Sequence, residues 1–247
     1  MYKIVIPSHK RSKVIRSKVL TFLENHSINK KLIYIFVAQE EFYDYKAELP
    51  EYNVIVGAKG IGPNRMAISE HFGCNEFLVS IDDDVTNLLD KGLPLLDLNL
   101  FITQTFHLLI ANDLSLAGVY PSRNPFFCKN TITTDLRFII GQFKCYINKK
   151  HLEKRHYELL EDYENTLKHY FNSGGVLRYN YILVKADYNK LSGGLKEYRT
   201  LEKKIEECKK FNIEYPNYCS IKKSGSDISL LKNPKRDIIK SLWIGEM

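Results

Sequence analysis

Three consecutive aspartates, Asp82, Asp83 and Asp84, are the clearest sign of chemistry in this chain of 247 residues. They follow the apolar run from Phe77 to Ile81, which is typical of a buried strand, so their carboxylates are expected at a strand end. Adjacent negative charges repel one another and are costly to desolvate, and a divalent cation that also binds phosphate oxygens would relieve both costs. The alternative is a solvated acidic turn, because aspartate is common in turns.

A second group of candidate residues mixes cations with aromatic rings in the loop-like stretch 121–134. Its members are Arg123, Phe126, Phe127 and Lys129. Such a mixture suits a flipped base or a single strand, which stacks on rings while its phosphates meet cations. It suits a sugar equally well, since sugar faces also pack on rings, and the two phenylalanines could instead belong to the core.

The elements that must position the aspartates alternate in the order β-α-β-α-β-α-β. The pattern predicts strands at 3–6, 32–37, 53–56 and 76–81, and helices at 12–25, 39–45 and 63–72. This order is typical of a nucleotide-binding α/β sheet, in which ligands bind at the carboxyl ends of the strands. The chain has no GxxxxGK[ST], and no GxGxxG follows the first strand, which disfavours P-loop and dinucleotide sites.

The pattern changes after the aspartates. It predicts helices at 97–111, from 159 to about 171 and at 195–210, and strands at 116–120, 138–147, 176–186 and 218–223. Gly141 is expected to interrupt the stretch 138–147, and Gly174 with Gly175 to end the preceding acidic helix. We therefore expect a single domain over 1–247, with a nucleotide-binding half at 1–90 and an acceptor-binding half and tail at 91–247.

Composition favours a soluble globular protein, with 44% hydrophobic and 26% charged residues. No run approaches the about 18 apolar residues that span a membrane, and the first residues lack a signal sequence, so a cytoplasmic location is expected. The five cysteines are odd in number and contain no CxxC pair, which favours reduced thiols over a zinc site or disulfides. A net charge of +7 favours nucleic acid or nucleotides as partners, although AT-rich coding also enriches lysine.

Three motifs in this order resemble those of GT-A-fold glycosyltransferases. The first strand ends in Pro7-Ser8-x-x-Arg11, where such enzymes receive the nucleotide. The glycine-rich segment 60–65 closes on Arg65, and the acidic strand ends in the DxD-type signature Asp82-x-Asp84. Within that superfamily, the chain is most similar to small phage and viral enzymes, including the TET-associated group that glycosylates hydroxymethylated pyrimidines in DNA. The resemblance covers roughly residues 1–90 and is thin beyond.

The resemblance implies a mixed, Rossmann-like GT-A sheet flanked by helices, and a metal-dependent enzyme that uses Mn²⁺ or Mg²⁺. Such an enzyme moves a hexose from a nucleotide sugar, by default UDP-glucose, to an acceptor hydroxyl with inversion. The acceptor would be a hydroxymethylated pyrimidine in DNA, and a viral protein would act in the host cytoplasm. Two alternatives are a glycan or lipid-linked acceptor and a catalytically idle module that binds nucleic acid. A nucleotidyltransferase is disfavoured, because its glycine-rich loop after the first strand is lacking here.

The resemblance also assigns roles to residues around the donor. Asp84 would bind the metal, Asp82 the metal or the ribose, and Asp83 would face the sugar. Arg65 would pair with the diphosphate or steady the carboxylates, or it is an exposed helix arginine. The full set of implied nucleotide-sugar contacts is Pro7, Ser8, Arg11, Arg65, Asp82, Asp83 and Lys222. For Ser8, Arg11 and Lys222 a purely structural or solvated role is the alternative.

An inverting transfer needs a carboxylate base, and the resemblance implies Asp162 as first choice and Glu161 as second. The alternative is that both residues simply favour the positive end of a helix. Two features depart from many relatives: Met66 stands where asparagine follows the arginine, and no histidine follows His169 to bind the metal. Water and phosphate, or a tail residue such as Asp227, would then complete the metal shell.

Overall fold

The structure is a computed structural model that describes residues 1–186 and 200–231, together with the backbone of residues 238–240. Its first half contains strands β1 (Tyr2–Pro7), β2 (Ile33–Val37), β3 (Asn53–Val56), β4 (Phe77–Ile81), β5 (Val85–Asp90) and β6 (Leu93–Pro94). The helices of this half are α1 (Val19–Asn25), α2 (Phe42–Glu48), α3 (Ile61–His71) and α4 (Leu98–Ala111).

The second half contains more strands than helices. Its strands are β7 (Leu116–Tyr120), β8 (Thr131–Thr133), β9 (Phe143–Ile147), β10 (Leu177–Ala186), β11 (Cys219–Ile221), β12 (Ile228–Leu230) and β13 (Ile238–Lys240). Its helices are α5 (Glu161–Ser173) and α6 (Leu201–Glu214). Short 3-10 turns lie at Ile15–Ser17, Lys30–Leu32, Gln39–Glu41, Pro125–Phe127 and Lys150–Leu152.

One mixed sheet of eleven strands runs through both halves, with a central order of β13-β8-β10-β7-β9-β4-β1-β2-β3. The strands β3, β2, β1 and β4 are parallel, as the alternation of predicted strands and helices requires. β9 pairs antiparallel with both β4 and β7. β5 follows β4 after the aspartates and pairs antiparallel with β10. The strands β11 and β12 form a separate antiparallel hairpin.

The core lies in two layers, one on each face of the sheet. Successive residues of β1 alternate between them: Ile4 and Ile6 join the layer under α1, α2 and α4, whereas Val5 joins the layer under α3, α5 and α6. Because helices cover both faces, the parallel strands are apolar almost throughout. The predicted fold class, a mixed α/β sheet flanked by helices, is confirmed.

Three elements differ from the sequence prediction. The predicted helix at 12–25 is a 3-10 turn followed by α1, because the backbone at Lys18 (φ −119°, ψ −109°) is not helical. The strand β8 lies inside the stretch predicted as a loop, and β5 was not predicted. The stretch 138–147, predicted as one or two strands interrupted at Gly141, contains the one strand β9, because the chain around Gly141 turns towards the candidate site.

The ends of the predicted helices follow the turn residues. Gly174 has a left-handed backbone (φ 67°) and ends α5, as its position in the sequence predicts. The predicted helix at 195–210 is α6, which ends at Glu214, and its predicted start at 195–199 lies outside the described residues. None of the helices in the described ranges has the length and apolar character that a bilayer-spanning helix needs.

Gly118 on β7 provides a test of the packing between the sheet and the segment before β9. A methyl group at this position would lie 2.4 Å from Cγ2 of Ile139, a buried and branched side chain. We expect Gly118→Ala to lower the free energy of unfolding by about 1–3 kcal/mol, because the buried Ile139 side chain cannot move away freely. Urea denaturation measures this loss.

The matched control is a double-mutant cycle with Ile139→Ala, which removes the clashing methyl group. The double variant should lose less than the sum of the two single losses, because each substitution relieves part of the other's cost. Strict additivity would contradict the described contact.

Candidate active site

The three aspartates form a tight, largely buried turn between β4 and β5. The amide of Val85 donates to the carbonyl of Asp82 at 3.2 Å, and the amide of Asp82 donates to the carbonyl of Gln142 at 3.1 Å. The side chain of Asp82 is 28% exposed, whereas those of Asp83 and Asp84 are buried. The alternative of a solvated acidic turn is therefore correct about the turn, but only Asp82 of the three aspartates is partly exposed to solvent.

Arg65 lies at the centre of the site and is buried. Its guanidinium donates to Oδ1 of Asp162 at 2.6 Å, to Oδ1 of Asp82 at 3.2 Å and to a carboxylate oxygen of Glu161. It also donates to the carbonyl oxygen of Gly141 at 3.1 Å. The interpretation of Arg65 as an exposed helix arginine is therefore wrong, and the prediction that it steadies the carboxylates describes what it does here.

The start of α3 positions Arg65 through its neighbour Asn64. The Asn64 side chain donates to the carbonyl of Phe36 at the end of β2, and it accepts a hydrogen bond from the amide of Ala58. A Cβ atom on Gly57 would come within 2.1 Å of Asn64 Oδ1, so only glycine fits there. The glycine-rich segment thus folds closely against the strand ends.

Gly141 is required for a similar reason. A Cβ atom there would lie 2.3 Å from Oδ1 of Asp162 and 2.4 Å from the guanidinium nitrogens of Arg65. The backbone of Gly141 instead donates its amide to Asp162 Oδ2 at 3.0 Å and offers its carbonyl to Arg65. The glycine that was predicted to interrupt a strand thus brings polar backbone groups into the charge cluster.

Asp83 points towards the end of β1. It accepts a hydrogen bond from Ser8 Oγ at 2.6 Å and pairs with the guanidinium of Arg11. Tyr45 completes this cluster, because its hydroxyl lies 2.7 Å from Ser8 Oγ and accepts from the Arg11 amide at 2.9 Å. In this structure the Pro-Ser-x-x-Arg turn therefore holds the aspartate turn in place, with Pro7 as the last residue of β1.

Asp84 carries the observation that bears on a metal. Its Oδ2 lies 3.4 Å from Arg11, while its Oδ1 is buried and has no hydrogen-bond partner among the described residues. Burial raises the pKa of Asp84, and Asp83 adds to this effect, against the opposing charge of Arg11. A free carboxylate oxygen that burial penalises fits a cation. In the described part of the chain, no group of three or more acidic, histidine or cysteine side chains is arranged so that it could hold a metal ion by itself.

The pKa of Asp82 is also raised by its surroundings. Burial raises its pKa to about 8, and although Arg65 opposes this rise, Asp84 and Asp162 reinforce it. A positive charge at the turn would therefore stabilise the ionised forms of both Asp82 and Asp84. They fit a two-carboxylate cation site that is completed by ligand oxygens.

The two acidic residues that begin α5 differ in their protonation. Burial raises the pKa of Glu161 to about 7, and the neighbouring Asp162 adds to this rise, against Arg65. Burial also acts on Asp162, but Arg65 and a hydrogen bond from Glu161 outweigh it and hold the pKa of Asp162 below its ordinary value. The pKa of Asp162 is therefore the lower of the two, and Asp162 is ionised near neutral pH. The Asp162 side chain is 25% exposed and that of Glu161 only 8%.

A buried polar network behind this pair was not predicted from the sequence. Arg155 bonds Glu161 at 3.3 Å and Glu153 at 2.7 Å, and Glu153 also accepts from His169 and Asn165. Lys144 lies in the apolar strand β9 and donates to Asn165 at 2.6 Å. A lysine inside such a strand was the available signal, because lysine is almost never fully buried without a partner.

The predicted acceptor residues lie on the surface, away from this network. Phe126 is 86% exposed and Phe127 more than half exposed, so the alternative that they belong to the core is wrong. Asn124 caps their 3-10 turn, and the preceding residue, Arg123, is exposed. The structure therefore leaves these aromatic rings available, but it does not bring them into contact with the carboxylates.

Lys222 and Asp227 lie together on the hairpin β11–β12. Lys222 Nζ donates to Asp227 Oδ2 at 2.6 Å, while Asp227 Oδ1 accepts from the Tyr163 hydroxyl at 3.3 Å and from the amide of Ile228. Both oxygens of Asp227 are thus occupied by protein donors. Asp227 thus links Lys222 to Tyr163 on α5.

Comparisons with known proteins give a fold. No protein-family description and no curated protein matches the sequence. Among solved structures, residues 1–349 of S. aureus TarS in complex with UDP-GlcNAc are similar, with a TM-score of 0.56 and 13% identity over 87% of this chain. This chain spans 66% of that structure. A 4-diphosphocytidyl-2C-methyl-D-erythritol synthase from Anaerococcus prevotii aligns with a TM-score of 0.46 and 10% identity, over 80% of this chain and 94% of its own. The likeness to TarS confirms the predicted GT-A-type fold.

Removing the Arg65 charge tests the electrostatic account of the site. We expect Arg65→Met to lower the free energy of unfolding by about 3–5 kcal/mol near pH 8, because three carboxylates lose their shared cation. The loss should be smaller near pH 5. Without Arg65, the buried carboxyl groups have raised pKa values in the folded variant and bind more protons there than in its unfolded state. The stability of the variant therefore falls as the pH rises through those values. Urea denaturation at the two pH values measures the difference.

Arg16→Met is the matched control, because Arg16 is exposed and pairs with Glu51 at the surface. It should cost less than about 1 kcal/mol at either pH. An Arg65 variant whose loss of stability is independent of pH would contradict the described cluster.

Proposed function

We propose that the protein is a glycosyltransferase that uses a nucleotide-sugar donor. The observation that carries this proposal is the Arg65 cluster, which joins the aspartate turn after β4 to the carboxylates that begin α5. One end offers oxygens for a cation and a diphosphate, and the other offers a carboxylate base. The aspartate turn lies at the carboxyl end of the parallel strand β4, where ligands bind in such sheets, and Arg65 joins the start of α5 to it. The fold shared with TarS, solved with UDP-GlcNAc, supports the same conclusion.

At the donor end, Asp82 and Asp84 would hold Mn²⁺ or Mg²⁺ together with the diphosphate. The bound cation would supply charge neutralisation to the leaving diphosphate. Arg11 contributes a buried positive charge to this turn, and its Nε has no hydrogen-bond partner in the described ranges. Ser8, Arg11 and Asp83 act on the donor by fixing the geometry of the turn, since their mutual hydrogen bonds already hold them.

At the acceptor end, Asp162 is the proposed general base. Its pKa is held below the ordinary value, so it is ionised at neutral pH, and its oxygens accept hydrogen bonds from Arg65 and from the Gly141 amide. A carboxylate offers about four lone-pair sites, so at least one remains available for the acceptor hydroxyl proton. Asp162 is also 25% exposed, whereas Glu161 is only 8% exposed, which makes Glu161 the poorer choice. A base acting on the face opposite the leaving group would give inversion.

The donor sugar and the acceptor remain predictions. UDP-glucose is the default donor from the sequence resemblance, and UDP-N-acetylglucosamine is added because the TarS structure contains it. A hydroxymethylated pyrimidine in DNA is the predicted acceptor, with Arg123, Phe126 and Phe127 as its contacts, and a glycan or lipid-linked sugar is the alternative. Phe126 is 86% exposed although its ring contacts that of Phe127, which favours stacking on a large partner.

The cation site can be tested without an acceptor. We expect UDP to bind more tightly in the presence of Mn²⁺, and Asp84→Asn to reduce this metal-dependent gain by at least about tenfold. The loss follows because Asn lacks the negative charge that a divalent cation requires. Isothermal titration of UDP, with and without Mn²⁺, measures it.

Asp44→Asn on the exposed surface of α2 is the charge-matched control and should bind UDP as the wild type does. If the gain with Mn²⁺ were the same in Asp84→Asn and the wild type, the metal assignment would be wrong.

The base is tested by donor hydrolysis, in which water replaces the acceptor. The wild type should release sugar slowly from radiolabelled UDP-glucose or UDP-N-acetylglucosamine. Asp162→Asn should keep the affinity for UDP and lower this rate by about 10²–10⁴-fold, because the amide cannot accept the proton. Glu161→Gln should lower it less, since the Glu161 side chain is largely buried and less able to reach the nucleophile than that of Asp162.

The idle-module alternative predicts no hydrolysis above the buffer blank with any UDP sugar, even though UDP binds. Full activity of Asp162→Asn, or a larger loss in Glu161→Gln than in Asp162→Asn, would instead reject the choice of base.

A further inference from the structure

A separate cavity of about 230 Å³ lies next to the carboxylates of α5, and three cationic side chains reach it. Arg137 precedes β9, Arg178 lies on β10, and Lys222 lies on the hairpin β11–β12. The rings of Phe138 and Tyr163 form part of its wall and stack on each other with centroids 4.0 Å apart. Of the residues that the sequence predicts to contact the nucleotide sugar, only Lys222 lines this cavity, and the aspartate turn does not reach it.

The cations of this cavity are not fully neutralised. Arg137 is paired with Asp135 through two contacts of 2.9 and 2.8 Å, and Lys222 is paired with Asp227. Arg178 is only 8% exposed, yet no carboxylate of the described chain pairs with it. Asp135 lies near enough to act on Arg178, but it is paired with Arg137, so Arg178 has no carboxylate partner of its own. A buried cation without such a partner is costly, and a bound anion would stabilise the cavity.

Neutral groups hold the Arg178 side chain in position. Its Nε donates to Asn180 Oδ1 at 2.9 Å, one Nη donates to the carbonyl of Phe138 at 3.3 Å, and its guanidinium lies over the Tyr120 ring. Burial, with the nearby charge of Arg137, lowers the pKa of Arg178 to about 10, so it is still protonated at neutral pH. The side chain is thus fixed in direction, charged, and free to donate further hydrogen bonds.

The cavity lies on the acceptor side of the proposed reaction. Tyr163 directly follows Asp162 on α5, and successive helix residues point about 100° apart. Asp162 therefore faces Arg65 and the aspartate turn, while Tyr163 faces the cavity. A molecule could contact the cavity with one group and place a second group near Asp162.

We propose that this cavity binds a phosphate group of the acceptor and thereby places the acceptor hydroxyl near Asp162. That the bound molecule is the acceptor rests on the proposed function, but the anion site itself does not. A phosphate fits better than a carboxylate, because its several oxygens can accept from Arg178 while facing Arg137 and Lys222. A phosphate ester also supplies the one or two negative charges that the cavity lacks.

Binding of phosphate compounds tests the site independently of transfer. The probes are inorganic phosphate, glycerol 3-phosphate and deoxycytidine 5′-monophosphate, titrated calorimetrically into the full-length chain with saturating UDP present. UDP occupies the proposed donor site, so any remaining phosphate binding reports a second site. We expect Arg178→Gln to weaken this binding by at least about tenfold and Arg178→Lys to weaken it less, because a charged hydrogen bond is lost only in the first.

Lys222→Gln protects the test against misfolding, because Lys222 is nearly half exposed. It should weaken phosphate binding by a few-fold, about the worth of an exposed ionic contact, with unchanged thermal stability. Lys46→Gln on the exposed face of α2 is the charge control and should bind phosphate as the wild type does.

The three probes distinguish the source of the phosphate. Tighter binding of glycerol 3-phosphate indicates a polyol phosphate acceptor, tighter binding of the nucleotide indicates nucleic acid, and equal affinities indicate that only the phosphate is recognised. Loss of all binding when UDP is added, or unchanged affinity in both Arg178→Gln and Lys222→Gln, would overturn the proposal. Phosphate binding without any UDP-sugar hydrolysis would uphold the anion site and reject the proposed function.

Discussion

One buried guanidinium connects the parts of this protein that could perform chemistry. Arg65 on α3 contacts Asp82 after β4 and both acidic residues at the start of α5. Three carboxylates could not be buried this closely without a shared cation, because their mutual repulsion and desolvation would be prohibitive. Arg65 therefore fixes the distance between the turn that would bind the donor and the helix that would supply the base.

The surrounding backbone is shaped by that requirement. Gly141 leaves room for the guanidinium and contributes a carbonyl and an amide to the cluster, and Asn64 ties the start of α3 to the end of β2. Behind α5, Arg155 and Glu153 extend the charge network into the core and hold Glu161 from its other side. The result is a rigid set of charges in which Asp82 and Asp162 are the members that reach solvent.

The half of the fold that contains the strands β1 to β4 follows from local patterns. Apolar runs such as Phe77 to Ile81 and their alternation with helices fix the strands β1 to β4, and a turn residue such as Gly174 marks a helix end. The pairing of β5 with β10 depends on residues almost a hundred positions apart, which no local pattern reveals. β8 is only three residues long and is bounded by polar residues, so its sequence resembles a loop.

The site was predictable to a similar extent. The aspartate turn, Arg65 and the acidic start of α5 could be identified from residue type and order. Their direct contact could not, because it depends on where the second half of the sheet places α5. Arg178 and the cavity beside Tyr163 gave no signal in the sequence, since an arginine on a tyrosine-rich strand is unremarkable until its missing counter-charge is seen in three dimensions.

The most direct test of this account is a crystal structure grown with UDP and Mn²⁺, with anomalous diffraction used to locate the metal. The account predicts a manganese peak within coordination distance of Asp84, with the diphosphate beside it and the Arg65 contacts to Asp82 and Asp162 intact. A peak elsewhere in the molecule, or a nucleotide bound away from the aspartate turn, would contradict it.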